Sequence, residues 1–118
     1  METTNNHRVF LMRFAAVYPL YLAKVQKKGR TQAELDAVVC WLTGMDADEL
    51  AHHLAASSTL AEFFAAARLH PNAAQIKGVV CGVRVEDVKD PLMQQIRYLD
   101  KLVDELAKGK ALNKVLGR

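Results

Sequence analysis

Asp90-Pro91-Leu92-Met93-Gln94-Gln95-Ile96-Arg97-Tyr98-Leu99-Asp100-Lys101-Leu102-Val103-Asp104-Glu105-Leu106-Ala107-Lys108-Gly109 is the stretch on which the fold turns. Asp90 offers a carboxylate to the free amides of a first helical turn, and Pro91 suits the first helical position, where its missing N–H costs nothing. Leu92, Ile96, Leu99, Val103 and Leu106 return at spacings of four and three, which lays one apolar stripe along a helix. Gly109 closes the helix as a left-handed cap. The alternation is also the seam pattern of a coiled coil, but a seam this short more often forms one wall of an intramolecular core.

Beyond Gly109 a last short helix is expected from Lys110 or Ala111 to Leu116. Upstream, Thr31 with Glu34, Asp46 with Glu49 and Thr59 with Glu62 each have the spacing of a capping box, in which side chain and backbone satisfy each other's free groups. The helix after Thr31 carries the stripe Leu35, Val38, Val39 and Leu42 and ends at Gly44. Shorter helices follow with Leu50 and Leu54, then with Phe63, Phe64 and Leu69. Asn72 with Gln75 is a weaker pair that would open a helix through Ile76 and Val80. The run Val79-Val80-Cys81-Gly82-Val83-Arg84-Val85 is strand-like in composition, but the glycine in its middle favours buried helix plus a turn. In the first segment, Phe10, Phe14 and Val17 share a stripe that Pro19 interrupts. A break near Ala16 is expected, with a second piece running to Lys28 and capped by Gly29. The sum is an all-α fold: one compact bundle, residues 1–118, of about six or seven short helices and one longer C-terminal helix. Residues 1–7 are expected to be disordered or loosely attached.

At 118 residues, 51% of them apolar and 25% charged, the chain can bury one core and lies far from the composition of disorder. No run approaches the ~20 apolar residues of a membrane span. Met1-Glu2-Thr3-Thr4-Asn5-Asn6 lacks the apolar centre of a secretory signal. Two distant cysteines do not suggest a disulfide framework, so a reducing cytoplasm is the expected location.

Catalytic signatures are missing. His52 and His53 are adjacent and point about 100° apart on a helix, which suits no shared metal; solvated histidines are the simpler reading. Cys40 and Cys81 each sit in an apolar stretch and read as small core residues. Gly78 and Gly82 match neither a phosphate loop nor a dinucleotide fingerprint and read as points of close helix packing. No catalytic residue, cofactor or metal site is therefore expected.

Charge is more informative. Residues 1–30 carry net +5, residues 31–76 net −5 and residues 77–118 net +3, so the ends are basic and the middle acidic. Lys24, Lys27, Lys28 and Arg30 form one candidate basic patch. A candidate binding surface, Lys77, Arg84, Arg97, Tyr98 and Lys101, lies in the last third. Three functions follow, in order of expectation. The first is an interaction module that binds a protein partner or a second copy of itself. The second is a nucleic-acid-binding module placing these cations on phosphates with strong salt dependence. The third is a small enzyme or ligand-binding protein with a pocket near Arg84, Asp90, Arg97 and Tyr98.

Two strings carry a resemblance. One is His7-Arg8-Val9-Phe10, Phe14, Val17-Tyr18-Pro19-Leu20-Tyr21, Lys27-Lys28-Gly29-Arg30-Thr31 and Trp41-Leu42-Thr43-Gly44. The other runs from Ile76 to Glu86 and continues through Asp90-Pro91-Leu92-Met93, Ile96 to Leu102 and Glu105 to Lys110. Together they resemble a bacterial family of small proteins known as domain of unknown function 2200, with a departure at Met45, where the family favours tyrosine. The resemblance implies a bacterial origin and a single domain, and no assigned activity.

Overall fold

All three capping boxes form in the computed structural model, which describes residues 8–118; the expectation for residues 1–7 lies outside the described residues. Thr31 Oγ accepts from the Glu34 amide at 3.1 Å while Glu34 accepts from the Thr31 amide at 3.0 Å. Asp46 with Glu49 and Thr59 with Glu62 repeat the exchange. A helical turn at 8–11 precedes α1 (Phe14–Gln26), α2 (Gln32–Thr43), α3 (Ala47–Ala55) and α4 (Leu60–Ala65). After a 3₁₀ turn, Ala73–Gln75, come β1 (Val79–Val80), β2 (Val83–Arg84), a second 3₁₀ turn (Val85–Asp87), α5 (Pro91–Ala107) and α6 (Leu112–Val115). Asp90 caps α5 as expected, accepting from the Met93 amide at 2.9 Å.

The all-α expectation is corrected: the molecule is mostly helical with a small two-stranded sheet. The segment expected as helix through Ile76 and Val80 is a 3₁₀ turn followed by an antiparallel hairpin, with Val79 opposite Arg84 and Val80 opposite Val83. Its two central residues, Cys81 and Gly82, have φ of 52° and 74°. Positive φ at both places is what a tight hairpin turn requires, and it cannot be continued as helix. Asn72 does not cap; its side-chain amide donates instead to the Arg118 carbonyl at 2.7 Å. The hairpin turn also exposes Cys81, correcting its reading as a core residue, whereas Cys40 is half-buried.

The chain breaks before α1 at Met12 and Arg13 rather than near Ala16. Arg13 bridges Thr59, with the Phe14 amide donating to the Ser58 carbonyl and the Leu60 amide to the Met12 carbonyl, both at 2.8 Å. This pairing holds the backbone extended there. Pro19 sits inside a continuous α1. It is exposed, and the Ala15 carbonyl, to which it has no N–H to donate, belongs to a half-exposed residue.

Packing centres on α5, which touches α1, α2, α4, α6 and the hairpin. Ile96, Leu99, Val103 and Leu106 are buried, so the seam of α5 is a wall of the core. Phe14 and Phe63 stack across the centre with ring centroids 4.0 Å apart. Two histidines are structural rather than merely solvated: His53 Nδ1 meets Ser58 Oγ at 2.8 Å, and His70 stacks on Trp41.

Candidate functional site

Helices α1 and α5 lie side by side and run in the same direction. Tyr21 donates its hydroxyl proton to Asp100 at 2.5 Å, Lys24 pairs with Asp104 at 3.3 Å, and Arg30 donates to the carbonyls of Leu106 and Lys110 at 3.0 and 2.8 Å. Partner numbers rise together along both helices. Parallel neighbours bring two C-termini together, with their unpaired carbonyls and negative dipole ends. Both finish in the same turn: Gly29 at φ +81° lets the Arg30 amide reach Val25, and Gly109 at φ +98° lets the Lys110 amide reach Glu105. Basic residues flank each glycine.

One turn toward the N-terminus, the seam opens into a groove of about 200 Å³. Val9, Met12 and Leu20 stand at its sides, Leu60 and Ile96 line it, and Arg97 and Asp100 form its polar end. Leu20 is 66% exposed, Met12 43%, and Leu11 beside it 56%. The polar end is paired internally. Asp100 accepts from Tyr21 on one oxygen and from Arg97 on the other at 3.0 Å. Burial, then the adjacent Asp100 carboxylate, pushes the Tyr21 hydroxyl well above its ordinary range. With both carboxylate oxygens engaged and the phenol held protonated, these groups are poorly placed for acid–base work. They shape a surface.

The residues expected to form a binding surface are divided. Arg97 faces the α1 seam through its ion pair with Asp100. Lys101 crosses to the hairpin, donating to the Val79 carbonyl at 3.3 Å and lying against Gly78, where a Cβ would come within 3.0 Å of its Cε. The close contact at Gly78 is thus hairpin on helix rather than helix on helix. Lys77 is exposed; Arg84 is also exposed and pairs with Glu86 at 3.6 Å. Tyr98 is buried, and burial followed by the field of Glu86 raises its hydroxyl.

Of the basic patch, Lys27 and Lys28 are exposed and have no ion-pair partner among the described residues. Lys24 shares Asp104 with Lys108, while Arg30 is consumed by Glu34 and by the α5 carbonyls. The sequence reading missed Lys108 and Lys110 as neighbours of this patch. The signal was the repeated basic-glycine-basic ending, Lys28-Gly29-Arg30 and Lys108-Gly109-Lys110. It also missed the rim of Leu11, Met12 and Leu20, which falls off the Phe10, Phe14 and Val17 stripe.

A second groove, about 360 Å³, lies between α1, α2 and α3. There Gln32 donates to the Tyr18 hydroxyl at 3.1 Å, and Tyr18 donates to Asp36. Burial and then the bond to Asp36 push the Tyr18 hydroxyl up to about 12. Cys40 lines the same groove, its thiol raised by burial and by Asp36, Asp46 and Glu49. A raised thiol is a poor nucleophile at neutral pH.

Among the described residues no group of three His, Cys, Asp or Glu side chains is placed to hold a metal, and no helix is long and apolar enough to cross a membrane. A family model described as an uncharacterized protein conserved in bacteria (DUF2200) matches residues 8–117. The chain is similar to the crystal structure of an uncharacterized protein, SP1917, with 44% identity and a TM-score of 0.89 over 93% of this chain and 91% of that one. No curated protein is detectably similar to it.

Proposed function

The chain belongs to the DUF2200 family of uncharacterized proteins conserved in bacteria, and on that footing we propose that it is a helical interaction module, binding a protein partner through the groove between residues 8–12, α1 and α5. The observation that carries this reading is the exposure of Met12 and Leu20 on one groove, with Leu11 adjoining. Single exposed apolar residues are ordinary; Met12 and Leu20 exposed together on one concave site, over a floor that includes Val17, Leu60 and Ile96, are what a docking surface looks like. Covering a leucine side chain fully gains about 1.5–3 kcal/mol, so Leu20 alone can anchor a contact. The pairing of Tyr21 and Arg97 with the two oxygens of Asp100 supports binding over catalysis, because the carboxylate that could act as a base is held between them.

Photo-crosslinking tests the proposal. With p-benzoylphenylalanine at Leu20, a discrete adduct is expected in bacterial cells, and none with the same residue at exposed Ala66. An adduct at twice the chain mass identifies the partner as a second copy. No adduct from Leu20, or the same adduct from both positions, overturns the reading.

A further inference from the structure

We infer that the segment bound in this groove is an acidic amphipathic helix lying along α1, its apolar turns on Met12 and Leu20 and its carboxylates over Lys24, Lys27, Lys28 and Lys108; the inference rests on the groove being a docking surface. Ala16, Leu20, Lys24 and Lys27 are all exposed and follow one another at four, four and three, so they form one outward stripe of α1. Along that stripe the surface changes from apolar to basic. Among the described residues the four lysines have one ion-pair partner, Asp104, which Lys24 and Lys108 share, leaving a surplus of three positive charges. Two helix C-termini offset about one of these, at roughly half a charge each. A net positive end therefore remains to be met by a partner.

Charge and shape together select the occupant. A nucleic-acid backbone would use the lysines and leave Met12 and Leu20 wet, whereas an amphipathic helix uses both halves. Residues 1–7 contain a single acid, Glu2, and no helical apolar stripe. A second copy is less well equipped: Glu34, Asp46, Glu49 and Glu62 are engaged at helix starts, and Asp48 and Asp87, exposed and without an ion-pair partner among the described residues, lie in separate segments rather than along one apolar helix. The 13 residues of α1 span about 20 Å, which matches a partner helix of three to four turns.

Selection from a display library of ~16-residue random peptides on the full chain tests this. Enriched peptides are expected to carry apolar residues at spacings of three and four, followed or preceded by clustered Asp and Glu. Affinity of the best peptide should fall about tenfold or more with Lys24→Gln/Lys27→Gln/Lys28→Gln and should weaken with added salt. It should fall at least as far with Leu20→Asp. All four positions are exposed, and circular dichroism confirms that each variant is folded. Enriched peptides without acids, or binding unchanged by the triple variant but lost with Leu20→Asp, overturns the acidic partner and leaves the groove standing. Binding indifferent to Leu20→Asp, or no enrichment at all, overturns both. Binding of a 20-bp duplex DNA that depends on the lysines and ignores Leu20 assigns the patch to nucleic acid and overturns the inference. A dimer in light scattering that Leu20→Asp disperses assigns the groove to a second copy and likewise overturns the inference.

Discussion

Arg30, beyond the end of α1, caps the end of α5: its Nη1 donates to the Leu106 carbonyl at 3.0 Å and to the Lys110 carbonyl at 2.8 Å, while Nε and Nη2 hold Glu34. One planar guanidinium thus joins three segments. A charged hydrogen bond to a partly buried partner contributes about 1.5–3 kcal/mol, and solvent at the edge of this site places the whole contribution near the lower figure. Arg30→Ala is expected to lower stability by about 1.5 kcal/mol in urea unfolding. Arg30→Lys should recover less than half of it, because an ammonium cannot span carbonyl and carboxylate as the fork does. An unchanged urea midpoint for Arg30→Ala would show that the cap is dispensable.

Acid should unfold the protein through its helix starts. The bond from Arg30, then that from the Thr31 amide, holds Glu34 down at about 2. Glu49 is lowered first by Arg68, Glu62 by the Thr59 amide and Glu86 by the Gly78 amide. Each carboxyl lies below its unfolded value of about 4.3, so its stabilisation is complete above that pH and drains away as pH falls toward the folded value. The thermal midpoint should drop steadily between about pH 5 and pH 2, and Glu34→Gln should make that limb shallower. A midpoint constant from pH 6 to pH 3 contradicts this account.

The same helix starts explain how much of the fold was legible in the sequence. A capping box is closed by residues three apart, so Thr31, Asp46 and Thr59 announced their helices without knowledge of anything distant. The hairpin was hidden because its first turn position is Cys81, where asparagine or aspartate would have signalled positive φ. Asn72 misled for the opposite reason: it has a capping residue's chemistry, yet Arg118, 46 residues away, takes its side chain. The groove was least legible. It exists because Tyr21 meets Asp100 across 79 residues, and nothing local to either residue encodes that alignment.

Cys81→Asn should stabilise the hairpin. Cys81 holds φ 52° ahead of Gly82, and asparagine-glycine is the preferred pair for such a turn. A gain of about 0.5–1 kcal/mol is expected in thermal unfolding. The substitution should also remove the fast phase of thiol labelling, since Cys81 is exposed and Cys40 is half-buried with a raised thiol. Two fast thiols in the parent, or a loss of stability in the variant, would refute the turn assignment.

Gly29 and Gly44 both end helices at positive φ, yet alanine should not be equally tolerated. A Cβ at Gly29 meets nothing within 4 Å, so Gly29→Ala bears only the backbone cost of about 1 kcal/mol. At Gly44 the same atom would lie 2.7 Å from the Arg68 carbonyl oxygen. That oxygen is backbone, and the Arg68 amide is itself tied to the Thr43 carbonyl at 2.7 Å, so little can give. Gly44→Ala should cost at least about 1 kcal/mol more than Gly29→Ala in urea, and equal losses would show that the loop after α4 yields freely.

The alkaline limit should be set by tyrosine. The chain has three, and all three hydroxyls are raised: Tyr18 to about 12 by burial and Asp36, Tyr21 well above its ordinary range by burial and Asp100, and Tyr98 by burial and Glu86. A folded value above the unfolded value of about 10 stabilises the fold fully below pH 10 and progressively less as pH rises toward the folded value. Tyrosinate absorbance should therefore lag behind that of the unfolded chain as pH rises past about 10 and then rise together with loss of helical circular dichroism, because the phenols ionise chiefly by unfolding. Tyr21→Phe separates the contributions. It removes the Asp100 bond, costing about 1 kcal/mol at neutral pH, and also removes one ionisation from the alkaline limb, which should become shallower. A tyrosine that ionises near pH 10 in the fully helical protein would place at least one of these hydroxyls in open water and sink the prediction.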